Sequence, residues 1–396
     1  MGDWTVWRSY EFNEWVREAL PHSRRGPCAT ARRRTLKLSP NWRWSVGATN
    51  AGLAPVTIDD VARAAGVSKG AVSKLLTTDD ETSSGLAQLA LTGSPNFNVV
   101  LPDPDDAVSD LLRLAVPHED IDAIVRCLPV LRQPGPLRWL LERCVHLLAH
   151  CMDHPKAGRR FPTFPNQSKP VRRYFYVLVF LAMLPQLRML HRKRGIPEHV
   201  SWLTLTDLGR RVAVHHRFHG VGGLRDPNSL VHHFTGTLYQ LGRLQFERAT
   251  LNKRHGPSIA RAGLPDRPGD PCLSVHIPDY CGPLSPQACD HSFAAAREFF
   301  ARHFPGERYR IAVCDSWLLD TQLAAYLPAD SNIVQFQHRF TIRTFPANDH
   351  SILRFVFGPD TSDVDKLPRR TTLERAIIDH IQAGRHWRAG SGWLTL

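Results

Sequence analysis

The stretch of this chain best suited to chemistry runs from Cys272 to Phe304. Cys272-Leu-Ser-Val-His-Ile-Pro reads as a strand, and Asp279-Tyr-Cys-Gly-Pro-Leu-Ser-Pro as a Gly/Pro-rich loop. An amphipathic helix follows from Gln287 to Phe304, opened by Ser285 and Pro286. Such a helix start points free backbone N–H groups at whatever lies in front of it, a common way to hold a phosphate. His276, in the strand, adds an imidazole, a side chain suited to acid–base work. Two other sets of residues could do chemistry. His146, His150 and His154 recur every four residues and so share a helix face, but no carboxylate or cysteine completes a metal site at that spacing. Packing or surface roles are expected for them, and no metal. The eight cysteines contain no Cys-x-x-Cys pair and no dense framework, so reduced thiols are expected rather than disulfides or zinc ligands.

The elements that must position these residues can be read along the chain. At 396 residues it is long enough for two or three domains. Its formal charge of +13 favours an anionic partner: nucleic acid, an acidic surface or a phosphorylated cofactor. Residues 1–105 carry 12 Lys/Arg and 11 Asp/Glu, so the excess lies beyond them. The polar, Arg- and Trp-rich start is no signal peptide, and the longest apolar run, Tyr174–Leu184, is too short to span a bilayer. A cytoplasmic protein without a membrane partner is expected. Residues 1–54 read as a disordered basic leader and residues 77–105 as an acidic linker. From 106 to 230 the apolar residues fall at helical spacing, which predicts a helical domain.

Between leader and linker, residues 55–76 predict two short helices joined at Gly66, capped by Thr57 and Ser68. This stretch resembles the N-terminal DNA-binding headpiece of LacI-type repressors. By that resemblance Ser68, Lys69, Gly70 and Ser73 would lie in the major groove, with DNA as partner. The likeness covers about 20 residues and ends at Thr77, where an acidic run replaces the family's third helix and hinge.

Strand character begins near Thr235. The predicted order is strand, strand, loop, helix, strand, helix, strand, strand, through Ile352–Phe357, followed by a last helix over Thr371–Ala383 capped by Thr371 or Thr372. Asn332–Ile342 alternates as a strand does, and Trp317–Leu327 reads as a helix. Residues 235–360 are thus a mixed α/β domain, and 361–396 a C-terminal helix and tail. The fold class expected for the whole is α+β.

Leu-Ser-Val-His-Ile-Pro, Gly-Pro-Leu-Ser-Pro-Gln-Ala-Cys-Asp, Cys-Asp-Ser-Trp-Leu-Leu-Asp and Ser-Asn-Ile-Val-Gln-Phe-Gln resemble segments of GNAT-like acyltransferase-domain proteins. In that group a helical N-terminal domain precedes a GNAT-like C-terminal domain. The resemblance covers roughly residues 100–350 and implies acyl-CoA as cosubstrate, with no permanently bound cofactor. It places the pantetheine and pyrophosphate against Ile277, Gly282, Leu284, Ser285, Gln287 and Ala288. The loop departs from the family's spaced glycines, having one Gly and two Pro. Proline has no N–H, so donors are fewer. Acyl transfer to an amine needs a base for the ammonium proton and an acid for the leaving thiolate. His276 is the first candidate base and Glu247 the second; Tyr326 is the candidate acid. Cys314, on a short buried strand, reads as an inert thiol.

Three readings stay open from sequence. One is an acyltransferase that passes the acyl group from acyl-CoA to a small-molecule or peptide amine by direct attack. The others are a catalytically degenerate GNAT-like scaffold and a LacI-type regulator.

Overall fold

The computed structural model describes residues 62–63, 68–70, 97–155, 161–162, 164, 167–358, 361 and 363–396. The expected leader, most of the helix-turn-helix stretch and the linker as far as residue 96 lie outside the described residues.

The first part is helical. Helices α1 (Pro104–Arg113), α2 (His118–Val125), α3 (Leu128–Arg132) and α4 (Pro136–His150) lead through α5 (Pro170–Arg173) to α6 (Phe175–Lys193). Prolines at or just before the helix starts set the breaks, since proline tolerates only the first turn. α6 is buried almost all round from Phe175 to Leu184, which makes it the central helix of this core. Helices α7 (Glu198–Leu205), α8 (Asp207–His219) and α9 (Val231–Phe234) close the domain. Thr206 ends α7 and starts α8. Gly209 near the start of α8 permits close approach, because a Cβ there would overlap the carbonyl of Ala115. No described helix is long and apolar enough to cross a membrane.

A six-stranded sheet follows, in the order β1-β2-β3-β4-β6-β5. The strands are β1 (Leu238–Leu241), β2 (Leu244–Thr250), β3 (Pro271–His276), β4 (Ile311–Ser316), β5 (Thr341–Ala347) and β6 (Arg388–Thr395). Only β3 and β4 pair in parallel. Helix α10 (Gly256–Arg261) lies between β2 and β3 in sequence, and α11 (Pro286–His303) connects β3 to β4. Leu273, Val275, Leu244 and Phe246 pack with Phe293, Ala296 and Phe300 of α11. The whole is a helical domain followed by a mixed α/β sheet domain, the α+β architecture expected.

The region after β4 corrects several sequence expectations. Trp317–Leu327 is two 3-10 turns, Trp317–Leu319 and Thr321–Ala325, rather than one helix. Asn332–Gln337 is a helix, α12, because Ser331 caps it by accepting the Val334 amide at 3.4 Å. Its alternation reflects a short helix wedged between two apolar clusters. Ile352–Phe357 belongs to helix α13 (Asp349–Phe357), where Ile352, Leu353 and Val356 share one face against Ile377 and Trp387. Helix α14 (Thr372–Gln382) opens with a full capping box between Thr371 and Glu374. The expected tail is β6, an interior strand between β4 and β5. Its glycines hid it, and packing demands them: a Cβ at Gly390 would overlap the Leu319 carbonyl, and one at Gly392 would lie 2.8 Å from Phe340 Cβ.

A charged cluster ties the two parts together. Arg248 of β2 binds Asp153 of the helical domain and Glu307 of the sheet domain, while Arg194 also binds Asp153.

Candidate active site

Strand alternation builds the site. Leu273 and Val275 turn into the apolar cluster under α11, so Ser274 and His276 turn to the opposite face. On β2 the same rule sends Gln245 and Glu247 to that face. The register sets Gln245 opposite His276 and Glu247 opposite Ser274. Glu247 therefore lies diagonal to His276, and His276 Nε2 sits 2.8 Å from Glu247 Oε2. The second carboxylate oxygen, Oε1, is 3.2 Å from His232 Nδ1, on α9 of the helical domain. Burial works against the Glu247 charge. His232 and His276 outweigh it and hold the carboxyl below its ordinary value. An ionised carboxylate only accepts, so Nε2–H of His276 donates to it, and in the neutral ring the lone pair then lies on Nδ1. The His276 side chain is 42% exposed against 14% for Glu247, so the ring reaches out from a buried carboxylate.

The wall behind this pair belongs to the helical domain. Asp207, at the start of α8, is fully buried and accepts from Arg210 at 3.0 Å and Arg211 at 3.2 Å. Gln245 donates to it as well, at 3.2 Å. Burial opposes the Asp207 charge, but the permanent cations Arg211 and Arg210 hold the carboxyl well below the usual range. Burial also drives His233 down to about 4. His233 is thus uncharged at neutral pH, and the two guanidinium groups carry the pairing.

β3 and β4 share a ladder only at Leu273–Ala312 and Ser274–Val313. Beyond those pairs β3 follows β2 to His276, and β4 follows β6 to Ser316. Ile277 continues past the end of the ladder and rests on the α11 cluster. The loop then turns through Tyr280 (φ 56°) and Gly282 (φ 75°). Arg243 fixes it by donating to the carbonyls of Gly282 (2.8 Å) and Pro278 (3.1 Å). Ser285 caps α11 as expected, accepting the Ala288 amide at 3.3 Å. That use removes Ala288 from the amides available to a ligand. The amides of Gly282, Leu284, Ser285 and Gln287 make no hydrogen bond to a described residue.

The fold thus joins His276 and Glu247 and sets the loop residues directly after them. It does not bring Tyr326 to them. The Tyr326 hydroxyl meets His380 Nδ1 at 2.8 Å, and its ring packs beside Trp387 in the C-terminal cluster. No hydrogen bond or ring contact links it to His276 or Glu247. Burial pushes the Cys314 thiol far up, in keeping with an inert group. His146 is buried beside Arg143 at 2.7 Å, and no described group of three His, Cys, Asp or Glu could hold a metal ion. Of the residues placed in the DNA-binding stretch, Ser68, Lys69 and Gly70 are exposed, and Ser73 lies outside the described residues. His232, Asp207 and Arg243 escaped the sequence reading. Their partners lie far away along the chain, and no local spacing marks them.

Comparison with known proteins identifies the family. An N-acyltransferase N-terminal domain matches residues 105–236, and a GNAT-like C-terminal domain matches residues 238–394. A solved acyltransferase mutant in complex with octanoyl-CoA is 38% identical, with a TM-score of 0.72, covering 86% of this chain and 99% of that one. An acyltransferase in complex with decanoyl-CoA and teicoplanin has the same identity and TM-score, covering 86% of this chain and 100% of that one. A further complex, with CoA and 10C-teicoplanin, matches equally. A comparison with curated proteins finds no match. A chain of this architecture, this like those enzymes over nearly their full length, belongs to the GNAT-like acyltransferases with an N-acyltransferase N-terminal domain.

Proposed function

We propose that this acyltransferase takes its acyl group from acyl-CoA and passes it to an amine, with His276 as the base. The observation that carries the reading is the 2.8 Å contact between His276 Nε2 and Glu247 Oε2, at the point where the β3–β4 ladder ends. A thioester laid in that gap would have its carbonyl beside His276. Its pyrophosphate would face the amides of Gly282, Leu284, Ser285 and Gln287 at the α11 N-terminus. The two loop prolines reduce the number of donors without abolishing the helix start. Related structures hold octanoyl-CoA and decanoyl-CoA, which supports a medium-chain donor here.

In the reaction, His276 Nδ1 removes the proton from the ammonium form of the acceptor. The amine nitrogen attacks the thioester carbonyl, a C–N bond forms, and the C–S bond breaks. The thiolate leaves as CoA and takes the proton held by the imidazolium, while the nitrogen's second proton passes to water. Glu247 stays ionised throughout, holds the ring and stabilises the imidazolium. Tyr326 is packed elsewhere and takes no part in this scheme.

For the acceptor, the exposed Tyr280 ring follows the catalytic strand, with the Arg217 guanidinium 5.6 Å from its centre and 4.4 Å from that of Phe218. This rim favours an amine that carries rings, a small molecule or a peptide. The presence of teicoplanin in a related complex supports that class.

Titration with octanoyl-CoA tests the donor. At a hundredfold excess over Kd, ligand should add about 2.7 kcal/mol of stability, a rise of several degrees in Tm. An unchanged Tm at millimolar octanoyl-CoA would refute the reading.

A further inference from the structure

Glu247 uses both carboxylate oxygens on imidazoles, and the two imidazoles come from different domains. His276 belongs to the sheet domain and meets Oε2; His232 belongs to the helical domain and meets Oε1. The His232 ring is itself held. Its Nδ1 lies 3.2 Å from Thr237 Oγ1, and that hydroxyl donates to the His232 carbonyl at 3.3 Å. The Thr237 amide binds the same carbonyl at 3.1 Å, and its own carbonyl accepts the Arg248 amide at 2.8 Å. Thr237 is fully buried, so the turn between the domains is a rigid bracket around His232. The Thr237 hydroxyl has the His232 carbonyl and Thr235 Oγ1 as acceptors for its proton, and Glu247 only accepts, so the arrangement favours a hydrogen on His232 Nδ1.

We propose that His232 is a positioning residue: it fixes the Glu247 carboxylate from the helical-domain side and so holds His276 in the tautomer with a basic Nδ1. The inference rests on His276 as the base, but its structural content can be tested separately. Besides His232 and His276, the groups facing this carboxylate are His233, from α9, and Cys272, from β3. Neither replaces His232 as a donor: both His233 ring nitrogens are buried without a hydrogen-bond partner, and the Cys272 thiol is at best a weak donor. Without His232, Oε1 loses the imidazole 3.2 Å away, the carboxylate can rotate, and His276 can flip its proton between nitrogens.

The full-length chain, labelled with ¹⁵N-histidine, provides the test through long-range ¹H–¹⁵N correlation. His276→Gln assigns the His276 signals. In the wild-type protein the His276 signals should report hydrogen on Nε2 alone. In His232→Ala both tautomers should appear, and the protonation midpoint of His276 should move by at least half a pH unit. His232→Asn places an amide N–H near the former Nδ1 and should restore the single tautomer; His232→Gln, which mimics Nε2, should not. A purely structural role would change thermal stability equally in all three variants and leave the tautomer alone. An unchanged tautomer and midpoint in a folded His232→Ala would overturn the proposal. Failure of the catalytic reading looks different: His276→Gln would retain full turnover of octanoyl-CoA while the tautomer result stood.

Discussion

Replacing Glu247 with Gln tests the catalytic pair with the least steric change. The substitution keeps an acceptor oxygen for His276 Nε2–H but removes the charge. Two unit charges about 4 Å apart interact by about 4 kcal/mol at an effective dielectric of 20. The His276 side chain is 42% exposed, so solvent screens part of that. A loss of about 2–3 kcal/mol in stabilisation of the imidazolium is therefore expected, which lowers kcat roughly 30- to 150-fold. The Gln amide would also face the N–H of His232, a donor against a donor, so the loss should fall toward the upper end. Thiol release from octanoyl-CoA, in the presence of an amine that the wild-type chain acylates, provides the assay. The Kd for octanoyl-CoA should change less than twofold, because Glu247 lies on the acid–base side of the site. The control is a double-mutant cycle with His276→Ala. If Glu247 acts through His276, adding Glu247→Gln to His276→Ala should cost almost nothing more. Additive losses, or a fall in kcat below threefold in a folded Glu247→Gln, would refute the reasoning.

Three further outcomes follow from particular contacts. Arg243→Ala should release the 277–285 loop and raise the Kd for CoA about tenfold, the worth of roughly one charge-assisted hydrogen bond, read by calorimetry. Gly390→Ala should destabilise by about 2–3 kcal/mol in urea unfolding, since its Cβ meets the backbone carbonyl of Leu319, whereas Ala at Gly306, where nothing lies near, should be close to neutral. Stability should also fall with acid. His191 and His233 are held down to about 3 and about 4 by burial, so each favours the folded state fully above the unfolded value near 6.5 and loses that advantage as pH falls toward the folded value. Between pH 7 and pH 5 each should cost about 2 kcal/mol; a flat urea midpoint over that range would contradict it.

What the sequence could reveal depended on how local the physics was. The strand–loop–helix at 272–304 is written in neighbouring residues, alternation in the strand and Ser285 at the cap, and the fold reproduces it. Thr371 announced its helix in the same way. Glu247 and His276 could be named separately as acid–base candidates, but their 2.8 Å contact depends on a register that only the paired strands define. β6 was hidden because its Gly-Ser-Gly composition is poor in strand-forming residues; the demand for glycine comes from Leu319 and Phe340, far away in sequence. Tyr326 went astray for a related reason. The segment after β4 breaks into short 3-10 turns, so a position counted along a continuous helix points to the wrong cluster.

The placement of the site follows from a constraint on the sheet itself. One face of β1–β3 is closed by α11 through apolar contacts, with Ser292 accepting the Arg243 and Leu244 amides at the hairpin. The other face carries Gln240, Gln245 and Glu247, all of them buried or nearly so. Buried polar groups need partners, and the sheet domain has too few on that side. The helical domain supplies them: Thr204 accepts the Gln240 amide at 2.9 Å, Arg210 reaches Gln240 Oε1 at 3.1 Å, Asp207 accepts from Gln245, and His232 meets Glu247. Covering the face completely would bury His276 as well. The cover stops at β2, so the polar row runs from a satisfied, water-excluded end at Gln240 to an open end at His276. An imidazole whose carboxylate partner is buried while its own ring stays accessible is the natural product of that gradient. On the proposed reading, the helical domain serves catalysis through the hydrogen bonds it contributes, and a sheet domain cut free of it would keep the 277–285 loop but not the environment that holds Glu247 and His276 together.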